Sequence, residues 1–477
     1  MLNPIQRFCD LQNRRQFLTH SGMGLGAAAL ASAAPALAGG SALHHKPRAK
    51  RVIFLFMAGG PSQLDLFDYK PDLHKQQGKR LPKSVTKGQR VTAMTKGQAQ
   101  ITYASPFKFS RHGKSGMHLS ELLPHLGSVI DDICLIKSTN TNAINHDPAQ
   151  TFFCTGSEIA GKASMGAWFS YGLGSMNKNL PDFVVLQSAF WSAPKANIQA
   201  LYSRLWGSGY LPSQHQGVAF QPTGDPVLFL SNPPGVDRGV RRRSMDLVKQ
   251  LNQTHQALAG DPEIDTSIKQ QEMAFRMQTS VPELTDLSQE NKQVVESYGP
   301  DVQKAGSFAR NCLLAGRMAE RNVRFIQLFH RGWDHHSNLP INLRAQVRDV
   351  DQPITALLRD LKQRGLLDDT LVVFAGEFGR TTYGQGAKNP KNFGRDHHPR
   401  CFTTWMAGGG IKGGISYGQT DEFSYNVTEN PVHVRDFHAT IMHQLGINHE
   451  RLVFPFQGLD QKLTGVSPAR VIKQILV

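Results

Sequence analysis

The sequence has 477 residues, of which 40% are hydrophobic and 19% charged, a composition that suits a globular protein with a large core. The formal net charge is +16, but the basic residues are scattered and no nucleic-acid-binding motif accompanies them, which argues against a nucleic-acid partner. The five cysteines form no C-x-x-C pair, which excludes a zinc ribbon and a disulfide framework. We expect four of them to be small buried residues, with one or two incidental disulfides as the alternative: Cys134, Cys154, Cys312 and Cys401.

The first 38 residues are predicted to be an export signal rather than part of the fold. Residues 13–18, NRRQFL, have the twin-arginine form, and a Gly- and Ala-rich apolar segment then leads to an A-x-A cleavage site. This segment is too short and too weakly hydrophobic to span a membrane stably, and no later run is long enough to do so. We therefore expect twin-arginine export to the periplasm or the medium, a linker over 39–50 and one folded domain over 51–477.

A buried strand is predicted over residues 52–57, because this run is apolar and rich in β-branched and aromatic side chains. It ends in a Gly-Gly turn followed by polar residues, a pattern typical of a first strand-to-helix crossover with a binding site at its mouth. Asp65 in this stretch is a candidate metal ligand, and capping of the next helix is the alternative role. The segment 70–109 has few large apolar residues, so we expect an exposed insertion over the sheet.

A second polar cluster follows a helix predicted over 119–126 and a strand predicted over 133–137. His146 lies in this cluster, at the start of a helix that has Pro148 in its first turn and ends at Gly156. The peptide N–H groups at such a helix terminus attract anions. The sequence therefore predicts an anion site beside His146.

The middle of the chain alternates helices and strands, which predicts a parallel sheet. A helix over 161–173 and a strand over 183–186 precede a loop-rich insertion over 188–236 with many Pro, Gly and aromatic residues. This insertion is either a substrate-facing cap or a segment packed on one edge of the sheet. The later predicted helices cover residues 242–258, 265–279, 306–321, 351–364 and 433–445, and the later strands cover 323–329, 371–375 and 402–407.

Further acidic and imidazole groups follow the later strands, at the edge where an open α/β sheet usually carries its site. Carboxylates and imidazoles from separate strands suit one or two divalent cations such as Zn²⁺, Mn²⁺ or Ca²⁺, and two ions would suit ester hydrolysis. Each Asp that precedes a His pair could instead orient a ligand imidazole. The candidate metal ligands are Asp65, Asp334, His336, Glu377, Asp396, His397 and His398.

Arg380 is a candidate catalytic residue because a planar, permanently charged guanidinium can hold two oxygens of a phosphate or sulfate group. Its alternative role is a structural ion pair with Glu377. A loop rich in Gly, Lys and Asn is expected to separate these two residues from Asp396. Glu377 and Arg380 before the loop, and Asp396 with His397 and His398 after it, would then flank one site.

Seven segments spread over nearly the whole mature chain are distinctive: GGPSQLDLFDYKP, NHDPAQTFFCTG, GWDHHSN, GLLDDTLVVFAGEFGRT, GRDHHP, AGGGIKGG and VHVRDFHATIMHQLGI. In this order they resemble the exported bacterial family called domain of unknown function 1501, which is placed in the alkaline phosphatase and sulfatase superfamily. The resemblance implies an α/β fold of one large domain, with a mixed, mostly parallel sheet flanked by helices on both faces. It also implies two divalent ions at the strand ends of active relatives.

The resemblance implies two site positions at which the residue types differ from those usual in the superfamily. Glu377-Phe378 stands where Asp-His is usual, so the carboxylate persists and an imidazole ligand is replaced. His146 stands where the nucleophile Ser, Thr or Cys is usual. Together with Arg380, which the chemistry of its guanidinium suggests, the candidate catalytic residues are His146, Glu377 and Arg380.

Two further positions concern the metals. The metal-binding Asp of the first strand falls on Ala58 or Gly59, so that Asp65 would have to replace it. The late His before Pro is retained as His397 or His398. The resemblance thus implies a rearranged metal site, in which part of the usual ligand set is kept.

Two classes of function are compatible with this sequence. The first is an exported, metal-dependent hydrolase of sulfate or phosphate esters, acting on an anionic small molecule or polysaccharide, because many ionisable groups gather at strand ends. The second is a non-catalytic binding protein or pseudoenzyme that recognises an anionic polysaccharide or envelope polymer. The fold alone does not choose between them, since one fold serves many functions.

Overall fold

A mixed β-sheet runs through the centre of the computed structural model. The structure describes residues 43–477 except for 90, 190–191, 194–195, 228–229, 260–261, 387–388 and 390. The signal predicted over 1–38 and the first part of the predicted linker lie outside the described residues. The strands discussed below are β1 Arg51–Ala58, β2 Ile133–Asn140, β3 Phe183–Gln187, β4 Val218–Phe220, β5 Phe325–Arg331, β6 Thr370–Ala375, β7 Gly379–Gly386, β8 Phe393–His398, β9 Phe402–Ala407, β10 Ile415–Tyr417 and β11 Val432–His433.

The strand order across the central sheet is β10-β2-β9-β6-β1-β5-β3-β4, and β11 also pairs with β2. β9 is antiparallel to both of its neighbours, whereas the other neighbouring strands of this sheet are parallel. β7 and β8 form a separate antiparallel ribbon. Smaller pairs join Phe109–His112 to Met117–Ser120, Gln419–Thr420 to Val427–Glu429, and Phe454–Phe456 to Leu459–Gln461.

In the part of the chain that the structure describes, seven longer helices accompany the sheet: α1 His146–Thr155, α2 Met165–Leu173, α3 Arg238–Ala259, α4 Pro262–Thr285, α5 Phe308–Glu320, α6 Leu339–Gln363 and α7 Val434–Gln444. Short α-helical segments are Gln63–Leu66, Lys83–Thr86, Pro124–Gly127 and Lys292–Ser297. Short 3-10 segments are Pro71–Gln76, Ile130–Asp132, Ser203–Leu205, Ser213–His215, Leu367–Asp369 and Lys473–Ile475. Within the described ranges, no helix combines the length and the apolar character that crossing a membrane requires.

Helices cover both faces of the sheet, which confirms the expected fold class. β1 is buried along its whole length, as expected of a central parallel strand. Ile53 and Leu55 pack in one apolar cluster with residues of α4, α5 and α6. Phe54 and Phe56 pack on the opposite face with residues of α1, α2 and α7. A single large α/β domain with a mostly parallel sheet results.

The four cysteines after the predicted signal are buried and free, as expected, and the disulfide alternative is wrong. Burial raises the pKa of the Cys312 thiol well above its usual value. These thiols therefore serve as small apolar groups in the core.

The carboxyl ends of three adjacent strands meet at one edge of the sheet. β1 lies between β5 and β6, with Met57 opposite His330 and Phe56 opposite Ala375. The segments that follow these strands begin with a glycine and then carry polar side chains. Because parallel strands end at the same edge, residues far apart in sequence are brought together there.

The expected loop between Arg380 and Asp396 is instead the β7–β8 ribbon. Its register places His397 opposite Arg380 and His398 opposite Gly379. The run Thr381-Thr382-Tyr383 has high β-propensity and explains the first strand. The ribbon thus places Arg380 beside His397 and His398, so that the two groups of candidate residues lie next to each other at the edge of the sheet.

Two predicted helices differ from those in the structure. Residues 117–120 form a strand, and only Pro124–Gly127 is helical, because a proline is tolerated in the first turn of a helix and not in its interior. α6 begins at Leu339, twelve residues before the predicted start at 351. Pro353 lies inside α6, where Val347 and Val350 continue the buried face of the helix towards its amino terminus.

Both predicted insertions contact the rest of the domain. In 70–109, Leu73 and Leu81 are buried in a small cluster with Tyr383 of the ribbon, so this segment is less exposed than expected. In 188–236, β4 extends the sheet beyond β3, as the edge-packed alternative predicts. The same segment also reaches the candidate site through Gln199.

Candidate metal centre

Four side chains from separate parts of the chain converge beyond the sheet edge: His146 at the start of α1, Asp334 and His336 after β5, and His397 on β8. One donor atom of each lies within 4.8 Å of the others. Asp334 Oδ1 is central, at 2.8 Å from His336 Nε2, 3.3 Å from His146 Nε2 and 3.4 Å from His397 Nε2. Elsewhere among the described residues, no comparable group of His, Cys, Asp and Glu side chains was found.

The other ring nitrogen of each imidazole is held by an oxygen acceptor. His146 Nδ1 is 2.7 Å from Glu377 Oε1, His336 Nδ1 is 2.6 Å from Gln385 Oε1, and His397 Nδ1 is 2.7 Å from the carbonyl oxygen of Ile144. A carbonyl, amide or carboxylate oxygen accepts a proton from Nδ1–H, which leaves Nε2 as the lone-pair nitrogen of a neutral ring. This arrangement orients the Nε2 atoms as metal ligands.

The crowding of these lone pairs fits a bound cation. His336 Nε2 and His397 Nε2 are 3.1 Å apart, and both face Asp334 Oδ1. Atoms that carry lone pairs and negative charge repel one another unless a proton or cation lies among them. Three imidazole nitrogens and one carboxylate form a donor set suited to Zn²⁺, Mn²⁺ or a related divalent ion. The residues therefore fit one metal ion.

Charge at the group also favours a cation. Burial raises the pKa of Asp334, but the Arg380 charge and the hydrogen bonds from three imidazoles outweigh burial and hold this pKa far below its usual range. Asp334 and Glu377 bring two buried carboxylates to the group, and Arg380 pairs with Asp334. The remaining negative charge can be balanced by a proton on a histidine or by a metal ion.

The pKa values of the two imidazoles that contact Phe378 are shifted in opposite directions. Burial alone lowers the pKa of His146, but hydrogen bonds to Asp334 and Glu377 outweigh it and raise the pKa overall. Burial lowers the pKa of His397 to about 4, although its hydrogen bond to Asp334 acts in the opposite direction. Because a ligand imidazole must be neutral, a cation at this group would compete with protonation of His146.

The Gly-Gly turn after β1 allows the close approach of the surrounding backbone. Gly59 N donates to both carboxylate oxygens of Glu377, at 2.9 Å and 3.1 Å. Gly59 has a φ of +121°, and a Cβ atom there would lie 2.5 Å from the backbone nitrogen of Asp334. Glycine is required at this position by both its φ and its surroundings.

Phe378 forms an apolar wall against the imidazoles. Its ring centroid lies 4.5 Å from that of His397 and 5.0 Å from that of His146, and the side chain is fully buried. The sequence indicated an imidazole ligand replaced by phenylalanine at this position. In the structure, His146 supplies an imidazole to the group, and Phe378 shields one side of it from water.

Asp65 lies outside the group of four. Its carboxylate pairs with Arg395, at 2.7 Å from Nε and 3.1 Å from Nη2, and accepts from Ser62 Oγ at 2.5 Å. All of these contacts are buried. Because the carboxylate is already neutralised and hydrogen-bonded, this placement favours a structural role over the expected ligand role.

Asp396 and His398 flank His397 on β8 but also lie outside the group. Asp396 Oδ2 accepts from Thr92 Oγ1 at 2.6 Å and from Thr95 Oγ1 at 2.5 Å. His398 Nε2 is 2.7 Å from the carbonyl oxygen of Tyr425, and burial lowers the pKa of this histidine to about 4. The expected ligand roles of both residues are replaced by buried contacts with neighbouring segments.

Arg380 and Glu377 contact the group of four from its buried side, through Asp334 and His146. The Arg380 guanidinium donates to Asp334 and to the carbonyl oxygens of Gly59, Gly60 and Arg395. These contacts do not match the role expected from the sequence, in which Arg380 holds a phosphate or sulfate group. Its ion-pair partner is Asp334 and not Glu377. Glu377 accepts from His146, which makes it an orienting group and not one of the four converging residues.

Three contacts at the site are not predicted from the sequence. Gln199 Nε2 donates to Asp334 Oδ2 at 2.9 Å, Gln385 holds His336, and the Ile144 carbonyl holds His397. A backbone carbonyl leaves no signal in a sequence. The two glutamines lie in segments that read as loops, and only the folded ribbon and insertion bring them to the site.

Several solved structures are similar to this chain. The alkaline phosphatase from the Antarctic bacterium TAB5 is 13% identical, with a TM-score of 0.29 over 77% of this chain and 95% of that one. The phosphonate monoester hydrolase SpPMH from Silicibacter pomeroyi is 12% identical, with a TM-score of 0.31 over 90% and 76%. The PsFucS1 sulfatase from Pseudoalteromonas sp. is 11% identical, with a TM-score of 0.33 over 84% and 69%.

No curated relative matches the chain. The family described as "Protein of unknown function (DUF1501)" matches residues 49–476, which is nearly all of the described structure. This match covers the strands, the helices and all four converging residues. The family expected from the seven sequence segments is therefore confirmed, and the chain belongs to the DUF1501 family.

Proposed function

We propose that this protein is a metal-dependent hydrolase of anionic esters, with sulfate and phosphate esters as its substrate class. The proposal rests above all on the three Nε2 atoms that gather around Asp334 Oδ1. His146, Asp334, His336 and His397 would hold one divalent cation, and not the two expected from the superfamily. A bound cation would supply Lewis acidity to polarise an ester oxygen.

The surrounding residues orient these ligands through hydrogen bonds and an ion pair. Glu377, Gln385 and the Ile144 carbonyl hold the three imidazoles in the orientation that presents Nε2. Arg380 fixes Asp334 and offsets part of the negative charge. Rigid support of this kind lowers the reorganisation needed when a ligand or substrate binds.

The accessible side of the group suits an anionic substrate. The side chains of His146 and His336 remain 13% and 15% exposed, whereas Glu377 is fully buried. His146 is the first residue of α1, and the positive end of the helix dipole lies there. The formal charge of +16 would also draw anions towards the protein. An ester of a polysaccharide and a small anionic ester would both be attracted in this way.

One observation favours the alternative of a non-catalytic binding protein for an anionic polymer. The Arg380 guanidinium is buried and donates to four acceptors within the protein, so it does not offer the usual clamp on a phosphoryl or sulfuryl group. Such a protein would retain the metal as a structural or ligand-binding element and show no turnover.

The test combines metal analysis with assays on full-length protein purified from its native host. Wild type should contain a stoichiometric divalent ion and hydrolyse members of an aryl sulfate and aryl phosphate panel. His336→Ala should lose both the ion and activity, whereas His398→Gln, which changes the neighbour of a ligand, should keep both if folded. A stoichiometric ion without turnover on any ester would favour the binding protein.

Export by the twin-arginine route is part of the proposal. The paired residues Arg14 and Arg15 are its main support. Replacing both with lysine in the full chain should leave the protein in the cytoplasmic fraction, while wild type reaches the periplasm or medium. Export of the double variant at the wild-type level would contradict this route.

A further inference from the structure

The helix α3 lies on the outside of the molecule and rests on α4. The guanidinium groups of Arg238 and Arg242 lie over the Phe275 ring, at 5.1 Å and 5.2 Å, and Arg242 also pairs with Glu272. α4 in turn buries Val281 in the core. The face of α3 that carries Arg238 and Arg242 is thus the packed face, and the opposite face points away from the domain.

Large apolar side chains stand on that opposite face. Leu247 is 58% exposed, Leu251 is 62% exposed, and Val248 is 39% exposed. Residues four apart lie on the same side of a helix, so Leu247 and Leu251 form the centre of one apolar stripe. Single exposed leucines are common, but adjacent ones on a helix that is already packed on its other side are typical of a contact surface.

Basic side chains border this stripe. With about 3.6 residues per turn, Arg243 lies on one side of Leu247 and Leu251, and Arg241 lies on the other side. Arg241 and Arg243 form no ion pair with another described residue within 4.0 Å. These charges are therefore available to an external partner.

We infer that the outer face of α3 docks on the surface of an anionic phospholipid bilayer. Leucines flanked by arginines match the pattern of a helix that lies in the membrane interface, with its apolar stripe among the acyl chains and its cations at the headgroups. A second copy of the chain fits less well, because each copy carries a formal charge of +16 and the stripe itself is bordered by arginines. A soluble polyanion would use the cations but would leave the leucines without a role.

The test is co-sedimentation of the full chain with vesicles of pure phosphatidylcholine and with vesicles that also contain phosphatidylglycerol. We expect binding to the anionic vesicles only, and weaker binding as salt is raised. The double variant Leu247→Ser with Leu251→Ser should bind at least about tenfold more weakly. The double variant Arg241→Gln with Arg243→Gln should also lose about tenfold or more.

Leu459→Ser is the matched control, because Leu459 is 66% exposed and lies on a different element, the short strand Leu459–Gln461. It should bind vesicles as wild type does. The substitution Leu251→Trp provides a readout that does not depend on stability, since its fluorescence should shift to the blue when the helix enters the interface. Circular dichroism of each variant checks that it is folded.

Three results would overturn the proposal. Equal binding of wild type and the leucine double variant to anionic vesicles would show that the stripe does not insert. Dimerisation of wild type that is lost in the double variant, without vesicle binding, would assign the face to a second copy. Retention on heparin that depends on the basic residues and not on the leucines, without vesicle binding, would assign it to a soluble polyanion.

Discussion

His336 Nε2 and His397 Nε2 lie 3.1 Å apart, although each ring presents its Nδ1 to an oxygen acceptor elsewhere. Both Nε2 atoms present lone pairs and lie beside the Asp334 carboxylate. A bound cation stabilises this arrangement, and without the cation the lone pairs and the carboxylate repel one another. The relationship joins the end of β5 to the β7–β8 ribbon. Loss of metal should therefore loosen the contact between these two parts of the molecule.

Gln385→Ala should weaken metal binding by about 10- to 100-fold, because His336 loses the acceptor that orients its ring. Gln385→Glu should retain most of the affinity, since it keeps an acceptor oxygen. Competition with a coloured chelator measures the affinity directly. Gln419→Ala is the matched control, because Gln419 is an exposed glutamine on another strand. Wild-type affinity in Gln385→Ala would contradict the orienting role.

Arg380→Met should destabilise the metal-free protein by about 3–5 kcal/mol, because it leaves the Asp334 carboxylate buried without its guanidinium partner. Added metal should recover part of the loss, since the cation compensates the same carboxylate. Denaturant unfolding with and without chelator gives both values. If metal stabilises wild type and this variant equally, then Arg380 and the cation do not share Asp334.

Asp396→Asn should keep the metal but loosen the segment that contains Thr92 and Thr95, because the amide has one acceptor oxygen where the carboxylate has two. Asp396 Oδ2 accepts from both threonine hydroxyls and Oδ1 accepts from His397 N, so the amide cannot keep all three bonds. The expected loss of stability is about 1–3 kcal/mol. Limited trypsin digestion should cut faster at Lys96 in the variant than in wild type.

The double variant Thr92→Val with Thr95→Val is the control for the Asp396 prediction. It should show the same faster cleavage and the same unchanged metal content, since it removes the hydroxyls and leaves the carboxylate. A folded Asp396→Asn protein without metal would instead make Asp396 a ligand, as expected from the sequence.

Gly59→Ala should destabilise the protein by about 3 kcal/mol or more, because it combines a strained φ with a Cβ that collides with the Asp334 backbone. Gly78→Ala separates the two causes. Gly78 also has a positive φ, of +74°, but a Cβ there meets no atom within 4 Å, so the expected cost is only about 1 kcal/mol. Thermal unfolding measures both variants, and equal losses would contradict the role given to crowding.

The sequence contains enough information for the sheet and for the location of the site. Alternating buried strands and helices predict the parallel sheet, and polar residues after β1, β5 and β6 mark the edge where the site lies. Asp334, His336 and His397 were all predicted as metal ligands and do converge. The sheet and this convergence are accessible to sequence reasoning because strand ends and residue types are local properties of the chain, whereas the ligand roles stay a prediction.

The partners of each polar side chain could not be predicted in the same way. Asp65 and Asp334 both follow a buried strand, yet Arg395 neutralises the first and three imidazoles surround the second. The difference arises from the register of the β7–β8 ribbon, which directs Arg395 and His397 to separate contacts. Such pairings depend on tertiary packing, which residue spacing does not specify.

The most direct test of the account is the metal content of full-length protein from its native host, measured by inductively coupled plasma mass spectrometry alongside protein concentration. A single metal centre held by His336 and His397 predicts one divalent ion per chain in wild type and in Asp396→Asn, and its loss from His336→Ala and His397→Ala. Wild type without a bound ion, or a stoichiometric ion that remains in both histidine variants, would contradict it.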